Sequence, residues 1–189
     1  MYIPIKQCQI ICGGLPFNKI IHIGAHHGEE AQAYQEAGVK SVFWFEANPE
    51  VYNELFKKTK KFDKIEQTYI LSCLSDTDGE EVEFNIANNG HSSSILDLGT
   101  HANMYPHIKY TKSILVKTKR FDSFLDEETG RIGSWPEKIS EFDFINLDVQ
   151  GAELKVLKGF GDVFKKYLNI RAVYTPIRAA FGRPYTRRK

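Results

Sequence analysis

Apolar and polar positions alternate along this chain with two periods, near two residues in some stretches and near three to four in others. Lys19–Ile23 is a short apolar run that turns at Gly24. A polar-capped segment, Glu29–Ala37, follows and ends at Gly38. This pattern predicts strand, glycine turn, helix. Ser41–Phe45 is a second apolar run. Asn48 and Pro49 then open a helix as N-cap and first helical residue. Val51/Leu55 and Tyr52/Phe56 repeat at i, i+4 on that helix, and Lys57, Lys58, Lys60 and Lys61 close it.

Gln67–Leu74 reads as a third strand, ended by the turn signal Asp76-Thr77-Asp78-Gly79. Val82, Phe84 and Ile86 alternate with Glu81, Glu83 and Asn85, the mark of a half-buried strand. After the polar loop from Asn88 to Ser94, Ser113–Thr118 is its expected antiparallel partner, an excursion over the carboxyl edge of the sheet. Phe121–Glu128 reads as a short helix and Arg131–Pro136 as a loop. Phe142–Leu147 is a fourth strand ending at Asp148. Ala152–Lys158 is a helix with Gly159 as C-cap, and Ile170–Tyr174 is a fifth strand. Met1–Phe17, punctuated by Pro4, Gly13, Gly14 and Pro16, reads as an irregular packed arm. Strands alternating with helices imply an α/β fold, a mostly parallel twisted sheet with helices on both faces. Ligands of such a sheet bind outside the carboxyl ends of its strands.

The composition narrows the function. The chain has 189 residues, the length of one domain, and 42% hydrophobic residues are enough for a real core. A net charge of +1 supplies no field that would recruit nucleic acid or a membrane surface. Cys8, Cys12 and Cys73 form an odd set without zinc spacing, as expected in a reducing compartment. No stretch is long enough to span a bilayer and no signal peptide is evident, so a cytoplasmic location is expected.

Four polar features fall at strand ends: the Gly24 turn, Glu46, Ser75-Asp76 and Asp148. Each alone reads as a cap or a turn. Four at consecutive strand ends read as a site. Glu46 lies about 20 residues beyond the glycine turn, the spacing of an acid that grips a ribose diol. The third glycine of a dinucleotide fingerprint is missing, and Glu29 and Glu30 would repel a pyrophosphate. A nicotinamide-dependent oxidoreductase is thereby disfavoured. A cofactor with a ribose but no phosphate, such as S-adenosyl-L-methionine, fits better. No histidine pairs with a carboxylate at a recognisable ligand spacing, so no metal is expected.

Across Lys19–Thr175 the chain resembles the FkbM-type S-adenosylmethionine-dependent methyltransferases. The resemblance rests on four blocks: His22-Ile23-Gly24-Ala25-His26-His27-Gly28-Glu29-Glu30, Phe45-Glu46-Ala47-Asn48-Pro49, Arg120-Phe121-Asp122-Ser123-Phe124-Leu125, and Ile145-Asn146-Leu147-Asp148-Val149-Gln150-Gly151-Ala152-Glu153 with Val156-Leu157-Lys158-Gly159 after it. It implies a Rossmann-like methyltransferase fold over residues 19–175 and O-methylation of a hydroxyl on a sugar or natural-product-like small molecule. It also implies that Gly24, Ala25, His26 and Gly28 hold the methionine portion of the cofactor, that Glu46 and Ala47 meet the ribose, and that Ser75 and Asp76 lie by the adenine. Asp148 would face the reacting centre.

A hydroxyl acceptor must lose its proton, and His91, His26, Asp148 and Glu153 are the candidate bases. Asp148 and His91 are the preferred pair. His91 sits in a polar loop expected to overhang the site, although a merely solvated loop reads equally well. Ser92, Ser93, Gln150 and Glu153 are candidate acceptor contacts, and Glu153 is equally a helix-dipole partner. His22 reads as a satisfied core histidine. After Thr175 the family pattern continues with further strands, whereas this chain runs into a basic tail, residues 176–189. The C-terminal strands are therefore expected to be missing or altered, leaving the fifth strand as an open edge through which a homodimer could form. A catalytically impaired cofactor-binding or interaction protein is the alternative reading.

Overall fold

The computed structural model describes residues 3–98, 105–126, 131–132, 138–166 and 169–175. At its centre is β1 (Lys19–Ile23), flanked on both sides by parallel partners, β2 (Ser41–Glu46) and β9 (Phe144–Leu147). β3 (Glu66–Leu71) extends the sheet beyond β2, and β10 (Ala172–Tyr174) extends it beyond β9, giving the order β10-β9-β1-β2-β3, all parallel. Strands buried on both faces favour apolar residues at most positions, which is why β1, β2 and β9 read as near-continuous runs, interrupted in β1 and β9 by His22 and Asn146. Successive side chains point to opposite faces. Ile21, Ile23, Phe43, Phe45, Ile145 and Leu147 accordingly join one core cluster, and Ile20, Val42, Trp44 and Phe144 join another.

The second face is covered by α1 (Ile5–Ile11), α2 (Ala31–Glu36) and α3 (Pro49–Thr59) through Ile5, Cys8, Ala31, Tyr34 and Leu55. The first is covered by α4 (Glu153–Gly159) and α5 (Val163–Lys166) through Val156 and Val163, with Phe160 stacked on Phe121 at 4.0 Å between them. This is the α/β arrangement with helices on both faces that the alternating pattern implies.

Several elements differ from the sequence reading. The N-terminal arm is not irregular: α1 packs on the sheet, and Ile3 N donates to the Tyr174 hydroxyl at 3.1 Å. The first helix after the glycine turn starts at Ala31, with Glu30 at its N-cap. The third apolar run is two strands. It breaks at Ser72, and β4 (Cys73–Leu74) leaves the central sheet to pair with β6 (Tyr110–Lys119). β6 in turn pairs antiparallel with β5 (Glu81–Ala87), the expected excursion. The described part of the expected helix Phe121–Glu128, residues 121–126, is not α-helical. A single 3-10 turn, Asp122–Phe124, is enough to send Phe121 and Phe124 to the core, and β7 (Leu125–Asp126) then pairs with β8 (Arg131–Ile132).

Gly159 is the last residue of α4, with Phe160 at the C-cap, so it does not terminate the helix as a left-handed glycine. A Cβ there would lie 2.0 Å from the Ser75 carbonyl oxygen; the position is glycine because two backbones touch. β10 begins at Ala172 rather than Ile170 and pairs with β9 alone among the described residues. The basic tail lies outside the described residues. No helix among the described residues is long and apolar enough to cross a membrane.

Candidate functional site

A cavity of about 330 Å³ opens over the carboxyl ends of β1, β2 and β9, roofed by Phe84, Gly90, His91 and Ile95 from β5 and the chain that follows it. Its floor is the Gly24 turn. Gly24 has φ +79°, and its amide and that of Ala25 both donate to the Phe45 carbonyl at 3.0 Å. A Cβ on Gly24 would meet the Asp148 carbonyl oxygen at 2.0 Å. The missing side chain therefore lets β1 and the chain end of β9 close on each other. Gly28 is away from the cavity; its Cβ would strike Thr59 Cγ2 at 2.3 Å, so it seats the turn against α3.

Glu46 is 7% exposed and lines the cavity. Its Oε2 accepts from His26 N at 2.8 Å, and its Oε1 accepts from Ala47 N at 3.0 Å and Asn48 N at 2.9 Å. One carboxylate thus clamps the glycine turn to the start of α3, where Asn48 caps the helix by accepting from Glu50 N. Burial pushes the Glu46 carboxyl above the usual range, with the three amides pulling the other way.

The walls are acidic. Glu29, Glu30, Glu46 and Asp148 line the cavity, and no lysine or arginine does so among the described residues. Burial, with help from the Glu29 and Asp148 charges, pushes the Glu30 carboxyl up to about 7. Burial opposes ionisation of Glu29 as well, but hydrogen bonds from His26 and the backbone hold it at about 2. Asp148 N donates to the Ile23 carbonyl at 2.9 Å, and its Oδ1 accepts from Gln150 Nε2. Gln150 itself has φ +55°, which folds it back over its neighbour. Deeper in, the Tyr34 hydroxyl meets His22 Nδ1 at 3.1 Å and accepts from Asn146 Nδ2 at 2.8 Å. Burial lowers the His22 pKa to about 3, so the ring is a neutral core histidine, as read from sequence, whose edge reaches the cavity floor. Asn146 Oδ1 is buried with no hydrogen-bond partner among the described residues.

Of the residues singled out from sequence, Gly24, Ala25, His26, Glu46, Ala47, Asp148, His91, Ser93 and Gln150 come together around this cavity. Ser75 and Asp76 do not reach it; the wall there is Ser72, Cys73 and Leu74, because the chain leaves the central sheet three residues before the acidic turn. Ser92 is buried in its loop against Asn89, and Glu153, half-buried and not among the lining residues, accepts from Gly151 N. Asn146 and Tyr174 are lining residues the sequence reading did not assign to the site, and Glu30, read there only as repelling a pyrophosphate, lines it as well. Two consecutive glutamates directly after a glycine turn were the signal available for Glu30.

A mostly parallel sheet with helices on both faces, a glycine turn after its central strand and a buried acid after the next define a Rossmann-like methyltransferase domain. The chain belongs to the methyltransferase FkbM domain family, whose profile matches residues 22–175. Among curated proteins it is similar to the 2-O-methyltransferase NoeI of Sinorhizobium fredii (strain NBRC 101917 / NGR234), at 24% identity over 164 residues, which cover 82% of this chain. The match spans 61% of that relative's length. No solved structure matches the chain.

Proposed function

We propose that this chain is an S-adenosyl-L-methionine-dependent O-methyltransferase acting on a hydroxyl of a sugar or natural-product-like small molecule. The observation that carries the reading is the acidity of the cavity: four acidic side chains, of which burial leaves Glu30 partly protonated near neutral pH, and no lysine or arginine among its described lining residues. A phosphate-bearing dinucleotide would meet repulsion there, whereas a ligand with an ammonium and a sulfonium meets complementary charge. The unpartnered Asn146 Oδ1 fits the same ligand, because a buried acceptor needs a donor and an ammonium group offers three.

When bound, the cofactor supplies an electrophilic methyl group. The Gly24–His26 backbone would seat its amino-acid end. Glu46, already fixed by three amides, has one acceptor site left, on Oε2, for a ribose hydroxyl. Asp148, oriented by Gln150, would take the acceptor's proton, and His91 at the roof is the second candidate for that step. Holding acceptor and methyl group in line would supply much of the rate. The relative's printed 2-O-methyl specificity supports oxygen as the methyl acceptor. Calorimetry with S-adenosyl-L-methionine, its demethylated product and NAD tests the reading. Binding of the first two and not the third is expected. NAD binding without a response to the others would overturn it.

A further inference from the structure

At the mouth of the cavity the Gly24 turn carries a second constellation. His26, His27 and Glu29 each offer one ligand atom, and the three atoms lie within 4.8 Å of one another. Glu29 Oε1 is 2.7 Å from His26 Nδ1 and 3.8 Å from His27 Nδ1. The two imidazole rings stand 4.0 Å apart, and His91 from the roof loop lies over His26 at 4.3 Å. Neighbouring side chains in extended backbone point to opposite sides. Here His26 at φ +47° and Gly28 at φ +71° curl the turn, and the three side chains converge. The curl is held from outside: His26 N is bound by Glu46, and Gly28 is packed on Thr59 and Leu55 of α3. The donors therefore sit on a braced scaffold.

We propose that His26, His27 and Glu29 form a binding site for one divalent transition-metal ion of the zinc class. Two imidazoles and one carboxylate are the donor set such ions take when a fourth position stays open. In a tetrahedral site with bonds of ~2.0–2.2 Å, neighbouring donors are ~3.3–3.5 Å apart. The two Glu29 distances bracket that separation, and the third, between the histidines, is no more than 4.8 Å.

The test is titration of the metal-free protein with Co²⁺, followed by visible absorption, then displacement by Zn²⁺ followed by calorimetry. Saturable uptake of one ion per chain, with the intense bands of four-coordinate cobalt, is expected. His27→Ala and Glu29→Gln should each weaken uptake by about tenfold or more, while His107→Ala, away from the cluster, should titrate like wild type. Far-ultraviolet circular dichroism checks that each variant is folded. Uptake that does not saturate, or that is unchanged in both folded variants, would reduce the cluster to an ion pair and overturn the proposal. No cofactor is present in the titration, so its failure leaves the methyl-transfer reading untouched.

Discussion

Replacing Gly159 with alanine sets two effects of opposite sign against each other. Gly159 is helical with no positive φ, so helix propensity alone predicts that alanine stabilises α4 by ~0.5–1 kcal/mol. The new Cβ would, however, lie 2.0 Å from the Ser75 carbonyl oxygen and 3.0 Å from its carbon. Carbon–oxygen contact needs over 3 Å, so α4 and the Ser75 backbone must part by about 1 Å. The obstacle is backbone, anchored where Ser75 N donates to the Lys119 carbonyl, and it cannot swing aside as a flexible side chain would. Overpacking of this kind costs ~1–3 kcal/mol against that gain, leaving a net loss of up to about 2.5 kcal/mol and centred near about 1 kcal/mol. Urea unfolding should show a lower midpoint with an unchanged slope. Because Cys73 and Leu74, next in the chain, line the cavity, affinity for the cofactor should fall as well. A Gly159→Ala protein as stable as wild type, or more so, would refute the argument that backbone contact dictates this glycine.

Three further outcomes are expected. His22 has a folded pKa of about 3 against ~6.5 unfolded, so below pH ~6.5 the unfolded chain takes up a proton that the native chain refuses. This group's contribution to stability should fall by up to about 1.4 kcal/mol per pH unit between those values and be flat above pH ~6.5. Urea midpoints of wild type and His22→Gln measured from pH 7 to pH 5 should diverge accordingly, and parallel curves would refute it. Glu46→Gln puts an amide donor against an amide donor at one of its oxygens, and should cost ~1–3 kcal/mol of stability together with cofactor affinity; an unchanged urea midpoint would show that the clamp is dispensable. Asp148→Asn should lower kcat far more than it weakens cofactor binding, and a loss of affinity at full maximal rate would move Asp148 out of the reacting centre.

What the sequence disclosed depended on whether a residue's role is local. β1, β2 and β9 were readable because burial on both faces favours near-continuous apolar runs, and α3 because Asn48, Pro49 and an i, i+4 stripe mark it. α1 was not, because Ile3, Ile5, Cys8, Ile10, Ile11 and Cys12 leave no clean polar face; Ile10 and Ile11 are in fact largely exposed. The break at Ser72 falls at a single serine flanked by apolar residues, too weak a mark to show where the chain changes sheets. Gly24 and Gly159 were visible as glycines but not for their reasons, since each answers to a carbonyl far away in the chain. The site was legible at its corners, Gly24, Glu46 and Asp148, where strand ends are. The wall at Ser72–Leu74 and the acidity of Glu30 required the packed fold.

The strand order also sets a timetable. β1 and β2 are neighbours in sequence and pair over five residues, yet the other side of β1 is taken by β9, far along the chain. A chain made from its N-terminus can join β1, β2 and β3, and close Glu46 onto the Gly24 turn, while the second edge of β1 is still bare. Long-range parallel pairing is slow, because the connecting chain must be closed before any contact rewards it. During that interval Ile20, Ile21 and Ile23 form an exposed apolar edge, the kind of surface on which chains aggregate or chaperones act. Pulse-labelled hydrogen exchange during refolding should therefore protect amides of Phe43 and Phe45 before those of Ile145 and Leu147; simultaneous protection would mean that the sheet forms in one step. The central strand of the sheet is thus the first to be made and among the last to be fully paired.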